Sequence, residues 1–153
     1  MFDLDEQSLH KRFTDFEELC RKKGLKLTHQ RLEIYRELLT SRDHPSVESL
    51  FQRVRKRIPT ISLDTVYRTL GMLEESGMIN RIQTSGGLAR FEPDEGVHHH
   101  LLCKQCQKIE DFTWKSFDAM PMPPELDQWG NIEARNIVVE GICKSCLKKN
   151  QKK

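Results

Sequence analysis

The sequence contains no apolar run that approaches the length of a membrane-spanning helix, and its mean hydropathy of −0.65 is that of a strongly polar chain. No secretory leader is predicted either, because the residues that follow Met1 are acidic and polar. We therefore expect a cytoplasmic protein without a membrane partner.

The chain also lacks a strong net charge. It carries 25 Lys and Arg residues against 23 Asp and Glu residues, which gives a formal net charge of +2. The small basic excess lies in residues 1–90, whereas the remainder is slightly acidic. This distribution permits nucleic-acid binding by the first part of the chain but does not require it.

The signatures of common hydrolytic and phosphate-binding enzymes are absent as well. We find no nucleophile motif and no Gly-rich phosphate loop, and the paired signature of the zinc deaminases is missing. A zinc enzyme would have to hold its metal on His98 and His100, with Glu92 or Asp111 as the base. A zinc enzyme is therefore the alternative hypothesis to a binding protein. The favoured interpretation is a protein that is not an enzyme and has no small-molecule substrate.

Five cysteines are present, and four of them form two Cys-x-x-Cys pairs, Cys103 with Cys106 and Cys143 with Cys146. Two such pairs can supply the four thiolates of a closed, tetrahedral zinc site. Because thiols stay reduced in the cytoplasm, a structural Zn²⁺ is favoured over an intramolecular disulfide, which stays open as the alternative. The fifth cysteine, Cys20, lies on a predicted apolar helix face and is expected to be a small buried hydrophobe.

Harder metal donors accompany the first cysteine pair. Three consecutive histidines precede it, and Glu92 and Asp111 lie on either side. In a strand, alternation sends His98 and His100 to one face and His99 to the other. Two imidazoles and two carboxylates can then hold one ion. We expect an exchangeable sensing metal on these four residues, separate from the structural zinc.

Residues 1–92 are predicted to form a winged helix-turn-helix domain. Apolar residues at helical spacing predict four helices and then two strands. The helices are predicted at 8–23, after the caps Thr28 and Ser46, and between Ser62 and Gly77; the strands are predicted at 79–83 and 88–92. Four helices before a hairpin are typical of this fold, in which the fourth helix enters the major groove.

The fourth predicted helix has a polar face that suits DNA, because arginine can donate two hydrogen bonds to guanine. The residues predicted to face the core are Leu63, Val66, Leu70 and Leu73, with Tyr67 at the edge of that stripe. The residues predicted on the polar face are Asp64, Thr65, Arg68 and Thr69. A basic run at 53–57, at the end of the third helix, is read as a solvated face.

Residues 93–153 are predicted to form a small α/β dimerisation domain, which makes the whole chain α+β. Its strands are predicted at the histidines, at 108–112 and at 132–142, with a short helical piece that starts at Phe117. The polar tail from Lys148 is expected to be frayed. A sheet this small has exposed edges, and a symmetric homodimer can pair them.

These residues belong to longer motifs that resemble those of the ferric uptake regulator family. The motifs are GLKLTHQR at 24–31, DHPSVESLF at 43–51, DTVYRTL at 64–70, RFE at 90–92, HHHLLCKQC at 98–106 and CKSC at 143–146. They follow the family's order over nearly the whole chain. The resemblance implies a homodimeric, metal-dependent transcriptional repressor that binds a double-stranded DNA operator.

The resemblance also implies roles for individual residues. The implied ligands of the regulatory metal, Fe(II) or Mn(II), are His44, Glu92, His98, His100 and Asp111. The implied DNA-contact residues are Tyr67 and Arg68 on the recognition helix and Lys26 at the minor groove; Ser62 and Thr65 complete the candidate set. Because His44 comes from the DNA-binding half, a metal that joins it to the second half would fix the angle between the two domains.

Two branches of the family remain open. The spacing of the cysteine pairs and the presence of Asp111 resemble the peroxide-sensing branch, in which peroxide oxidises a ligand histidine, here His44 or His98. Glu92 stands where that branch typically has aspartate, and Arg68 resembles the iron-responsive branch. We predict a peroxide sensor, with an iron-responsive regulator as the alternative. A zinc-stapled binding module without sensing is the third hypothesis.

Overall fold

The computed structural model of the protein describes residues 5–152 and divides the chain into two units, with the boundary between Asp94 and Glu95. Both units combine helices with a small sheet, so the predicted α+β class is confirmed. Among the described residues, no helix has the length and apolar character that a bilayer crossing requires.

Four helices make up most of the first unit. They are α1 (Glu6–Lys22), α2 (His29–Thr40), α3 (Val47–Arg55) and α4 (Leu63–Glu75). The side-chain oxygens of Thr28, Ser46 and Ser62 each accept a hydrogen bond from the backbone N–H three residues further on. Each bond satisfies one of the N–H groups that a helix leaves without a partner at its start. All three predicted caps are therefore confirmed.

A two-stranded hairpin, the wing, completes this unit. Strand β1 (Ile79–Ile82) pairs antiparallel with β2 (Arg90–Pro93), and Ile79 lies opposite Pro93. Strand β2 starts at Arg90, two residues later than predicted, because Leu88 belongs to the turn. The Thr84 hydroxyl donates to the Leu88 carbonyl at 2.8 Å. Helices followed by this hairpin confirm the winged helix-turn-helix.

The core of the first unit joins all four helices to the wing. Its most deeply buried side chains include Phe16, Tyr35, Leu50, Leu70 and Phe91, from α1, α2, α3, α4 and β2 in turn. Burying a side chain of this size contributes about 1.5–3 kcal/mol. The core therefore fixes α4 and the wing in one arrangement, with the polar side of α4 left outside.

Two residues of α4 differ from their predicted positions. Leu63 was predicted to face the core but is 38% exposed, because it is the first residue of the helix and precedes the turn that meets the core. Thr69 was predicted on the polar face but is buried. Its hydroxyl donates to the Thr65 carbonyl at 2.8 Å, so that the polar group is satisfied inside the core.

The basic run at 53–57 is not simply a solvated face. The Arg57 guanidinium donates to the carboxylates of Glu33 and Glu37 on α2, at 2.9 and 2.8 Å. Arg53 pairs with Asp43 in the loop between α2 and α3. These ion pairs tie α3 to its neighbours, which a helical pattern alone does not reveal.

The second unit contains a three-stranded sheet in the order β4-β3-β5. Its elements are β3 (His99–Cys103), β4 (Ile109–Phe112), α5 (Lys115–Asp118), a 3-10 turn (Pro124–Leu126), β5 (Val138–Gly141) and α6 (Lys144–Gln151). Strand β3 is central: it pairs antiparallel with β4 and parallel with β5. Val138 and Val139 of the edge strand β5 are each about two-fifths exposed.

Three predictions for this unit were wrong in extent. The last strand covers only Val138–Gly141 instead of 132–142, because Arg135 turns away from the sheet and donates to the carbonyls of Phe117 and Asp118. The short helix begins at Lys115, not at Phe117. The tail is helical through Gln151 instead of frayed, and Asn150 exchanges two amide hydrogen bonds with Gln105.

The contrast between Leu70 and Leu63 predicts their effects on stability. Leu70→Ala empties a fully buried site and is expected to lower the free energy of unfolding by about 2–5 kcal/mol. Leu63→Ala, on the same helix but exposed, is expected to cost less than about 1 kcal/mol. Urea unfolding followed by circular dichroism measures both values. Equal losses for the two variants would show that the burial pattern of α4 is wrong.

Candidate metal centres

Four cysteine side chains meet in the second unit. Cys103 ends β3 and Cys106 lies in the turn that follows, while Cys143 and Cys146 lie at the start of α6. The Sγ atoms of Cys103 and Cys146 are 3.9 Å apart, and those of Cys106 and Cys143 are 3.8 Å apart. All four sulfur atoms lie within 4.8 Å of one another, and all four are free thiols.

This spacing fits a zinc ion. With Zn–S bonds of about 2.3 Å, a regular tetrahedron of sulfur atoms has edges of about 3.8 Å, close to the two distances in this cluster. Thiolates are soft donors that suit zinc, and four of them leave no coordination position open for water or substrate. The donor set therefore fits a structural ion and not a catalytic one.

Local electrostatics also favour a cation at this cluster. The backbone N–H groups of Cys106 and Cys143 donate to the Cys103 sulfur, the second at 3.3 Å, and they lower the pKa of the Cys103 thiol to about 6. Burial has the opposite effect on Cys146 and raises its pKa to about 12. Four thiolates at these distances repel one another, so a bound cation is needed to keep all of them ionised.

In the first unit, a buried histidine faces a buried glutamate. His44 lies in the loop between α2 and α3, and Glu92 lies on β2 of the wing. The Nε2 atom of His44 is 3.1 Å from Oε2 of Glu92, and both side chains are less than a tenth exposed. An imidazole and a carboxylate held together in this way are two donors of the kind that Fe(II) and Mn(II) take.

In the second unit, two histidines share one face with an aspartate. The rings of His98 and His100 are 4.8 Å apart, and their Nε2 atoms lie 3.9 and 3.4 Å from Oδ1 of Asp111. The register of the sheet causes this arrangement, because His100 on β3 lies directly opposite Asp111 on β4. The predicted alternation thus brings two imidazoles and one carboxylate together at the start of β3.

The middle histidine has a different environment. His99 is fully buried, and its Nδ1 accepts the backbone N–H of Ile137 at 3.2 Å. The proton must then be on Nε2, which donates to Oδ1 of Asp118 at 3.0 Å. Its ring also contacts Phe112 and Phe117. His99 therefore joins the sheet to α5 and to the segment before β5, contacts that strand alternation alone does not predict.

The candidate DNA-contact residues lie around α4. Ser62 and Thr65 are joined by a hydrogen bond between their hydroxyls, 2.8 Å, at the start of the helix. Tyr67 and Arg68 are exposed on the next turn, and Arg68 pairs with Asp64 at 2.8 Å. These side chains all lie on α4 or at its start. Lys26 is exposed in the loop between α1 and α2.

Sequence reasoning missed one partner of these residues. The Tyr67 hydroxyl donates to Oε1 of Glu48 on α3 at 3.1 Å, and this bond raises the pKa of Tyr67. Glu48 belongs to the same motif, DHPSVESLF, that contains His44. Its position in the first turn of α3 was the feature that could have suggested a contact with the fourth helix.

Comparison with known proteins identifies the family to which the chain is similar. The model of the ferric uptake regulator family matches residues 22–123. The peroxide-responsive repressor PerR of Staphylococcus epidermidis is 28% identical over 126 residues, which cover 82% of this chain and 84% of the relative.

Solved structures agree with this match. The ferric uptake regulator Fur of Helicobacter pylori, described as having three functional metal binding sites, superposes with a TM-score of 0.80 at 25% identity, over 96% of this chain and 97% of the other. A zinc-bound manganese uptake regulator is 30% identical, with a TM-score of 0.64 over 83% and 97% of the two chains. With its winged helix, its second α/β unit and the family match over residues 22–123, the chain belongs to the ferric uptake regulator family, whose members are transcriptional regulators and not enzymes.

Proposed function

We propose that the chain is a metal-dependent repressor that binds operator DNA as a homodimer and responds to peroxide. The observation that carries the proposal is the division of the hard donors between the units. His44 and Glu92 are paired in the first unit, and His98, His100 and Asp111 are grouped in the second. Fe(II) and Mn(II) are commonly octahedral, so either set alone would leave at least three positions to water, whereas the two sets together supply five donors. We therefore propose that both sets bind the same ion.

Joining the two sets would couple metal binding to DNA binding. His44 and Glu92 belong to the loop and wing of the DNA-binding unit, so their capture by His98, His100 and Asp111 would restrict that unit's orientation. In a dimer, the two recognition helices must match the spacing of two operator half-sites. Without the ion, only a fraction of molecules would have that spacing, and the apparent DNA affinity would be the intrinsic affinity multiplied by that fraction.

The thiolate cluster has a separate role in this proposal. Cys103, Cys106, Cys143 and Cys146 would hold Zn²⁺ permanently and fix α6 to the end of β3. In support, the solved relative named above is described as zinc-bound. The edge strand β5, with Val138 and Val139 exposed, would lie at or near the dimer interface.

DNA would be read by the exposed side of α4. Ser62, Thr65 and Tyr67 offer hydroxyls, and Arg68 offers a guanidinium that can exchange Asp64 for a guanine or a phosphate. Lys26 would contact the phosphates or the minor groove from the neighbouring loop. We propose double-stranded operator DNA as the partner and the cytoplasm as the compartment.

Peroxide sensing is the finer part of the proposal. A bound Fe(II) would supply the redox chemistry: overall, hydrogen peroxide would oxidise a ligand imidazole by two electrons, with one peroxide oxygen added to the ring and the other leaving as water. His44 and His98 are the candidates; an oxidised ring would bind the ion less well and so release the DNA. The relative from Staphylococcus epidermidis, a peroxide-responsive repressor, supports this branch. An iron-responsive regulator is the second candidate, favoured by Glu92 and by the structural match to Fur.

The zinc site predicts the effect of removing one thiolate. Cys106 is exposed, so Cys106→Ser removes a ligand without placing a new polar group in a core. We expect loss of the zinc and unfolding of the second unit, because zinc binding contributes to the folding of such sites. Mass spectrometry of bound metal and a thermal melt measure these effects. Cys20→Ala is the matched control and should keep its zinc; zinc retained in Cys106→Ser would refute the assignment.

The divided site predicts metal-dependent DNA binding. Mn(II) is expected to tighten operator binding by about tenfold to a hundredfold, since couplings of 1–3 kcal/mol are typical. His44→Ala and His98→Ala should each abolish this gain and leave the zinc content unchanged. His10→Ala, an exposed histidine on α1, should keep the gain. Equal affinity of the wild-type protein with and without Mn(II), by fluorescence anisotropy, would refute metal-dependent repression.

Peroxide distinguishes the two branches. The Fe(II)-loaded protein is expected to gain one oxygen atom on a peptide that contains His44 or His98, and to lose its operator affinity in the same experiment. The Mn(II)-loaded protein is the control and should gain none. Digestion followed by mass spectrometry locates the added oxygen. An unmodified Fe(II)-protein that still binds DNA after peroxide would favour the iron-responsive regulator instead.

A further inference from the structure

The loop that carries His44 has an unusual backbone conformation. His44 has φ of +50°, in the left-handed region that residues with a Cβ rarely adopt, and it directly precedes Pro45. Such a conformation persists only where surrounding contacts impose it. Within residues 5–152, Gln107 is the only other non-glycine residue with positive φ, and it lies in the turn of the cysteine cluster.

One arginine of the wing holds the backbone on either side of this position. The Arg90 guanidinium donates through Nη2 to the Asp43 carbonyl at 2.8 Å and through Nε to the His44 carbonyl. The next residue, Phe91, donates its N–H to the Pro45 carbonyl at 3.0 Å. Strand β2 therefore contacts three consecutive carbonyls of the loop.

The same strand also provides a candidate ligand. Arg90 and Glu92 are two residues apart on β2, so both side chains lie on the same face of the strand. Arg90 contacts the His44 backbone, while Glu92 faces the His44 imidazole at 3.1 Å. The position of His44 relative to Glu92 is thus set from both ends by one strand.

A second arginine holds the loop from α3. Arg53 donates to both carboxylate oxygens of Asp43, with Nη1 to Oδ1 at 3.0 Å, and to the Ser41 hydroxyl at 3.1 Å. The two parallel bonds fix a direction as well as a distance.

We infer that Arg53 and Arg90 form a guanidinium clamp that holds His44 in its metal-binding position before the ion arrives and makes α3 and the wing move together with the His44 loop when the ion is bound. The inference rests on the proposed function of His44 as a regulatory ligand. Both arginines are positioning residues, because they act through the His44 loop and do not contact the ion. The clamp connects the ligand to the helix-turn-helix through side chains that are far apart in sequence.

The clamp and simple charge repulsion predict opposite effects of the two arginines on metal affinity. A guanidinium near a cation site repels the ion, so removing its charge should strengthen metal binding. A clamp predicts that the loss of either arginine weakens binding, since outer contacts of a metal ligand commonly change affinity tenfold to a hundredfold. The sign of the effect therefore separates the two explanations.

Arg90 variants test the clamp in the full-length, zinc-containing protein. Arg90→Gln is expected to weaken Mn(II) binding by about tenfold or more. Arg90→Lys keeps the charge but can reach only one of the two carbonyls, so it should show a smaller loss. Competition with a fluorescent chelator measures both. Arg81→Gln is the matched control, an arginine of the wing that pairs with Glu74, and should leave Mn(II) affinity unchanged.

A second measurement needs no metal. Amide hydrogen exchange of the Mn(II)-free protein should be faster in residues 41–46 of Arg90→Gln than in the wild type, with other core segments unchanged. Zinc content and the thermal melt serve as folding controls. Tighter or unchanged Mn(II) binding in Arg90→Gln, or unchanged exchange in the loop, would overturn the clamp. A parallel fall in zinc content and melting temperature would also overturn it, since it would show a general folding role.

Arg53 tests the transmission step. Arg53→Gln is expected to lose most of the Mn(II)-induced gain in operator affinity, measured at saturating Mn(II). If the wild type shows no such gain, the proposed function fails before the clamp is tested. If the wild type shows the gain and Arg53→Gln keeps all of it, the proposed function stands and the clamp's transmission role is wrong.

Discussion

The regulation that we propose depends on how imidazole and carboxylate donors are divided along the chain. His44 and Glu92 lie in the winged-helix unit, whereas His98, His100 and Asp111 lie in the second unit. An octahedral cation of the iron or manganese type gains protein ligands in place of water when both sets bind it. Binding energy is then available for bringing the two sets together, and this energy can bias the orientation of the DNA-reading helix.

The cysteine cluster shows the opposite design. All four thiols belong to one unit and lie within 4.8 Å of one another, and two of their sulfur pairs are close to the edge length of a tetrahedral zinc site; four such ligands leave no position open. An ion held by four thiolates has no open position through which it could bind substrate, and its binding energy stabilises the local fold. In the proposed account, the chain combines a closed soft site for structure with hard donors, divided between the units, for response, and the chemistry of the donors keeps the two metals apart.

Local features were predictable from sequence, and distant contacts were not. The caps Thr28, Ser46 and Ser62 and the two Cys-x-x-Cys pairs depend on residues a few positions apart, so their patterns predict their structures. The short strand β5 depends on Arg135, which reaches carbonyls 17 and 18 residues away, and the proposed clamp depends on Arg90, which reaches carbonyls 46 and 47 residues away. No periodicity encodes such contacts. The ligand role of His44 likewise came from family resemblance, because a lone histidine before a proline carries no metal signal.

The central claim is that one ion is held by side chains of both units. Anomalous diffraction at the manganese edge, from crystals of the zinc-containing dimer grown with Mn(II), tests it most directly. The account predicts one manganese peak per chain, within bonding distance of His44 and Glu92 and also of His98, His100 or Asp111. A peak coordinated by the second unit alone, with the His44 imidazole elsewhere, would contradict it.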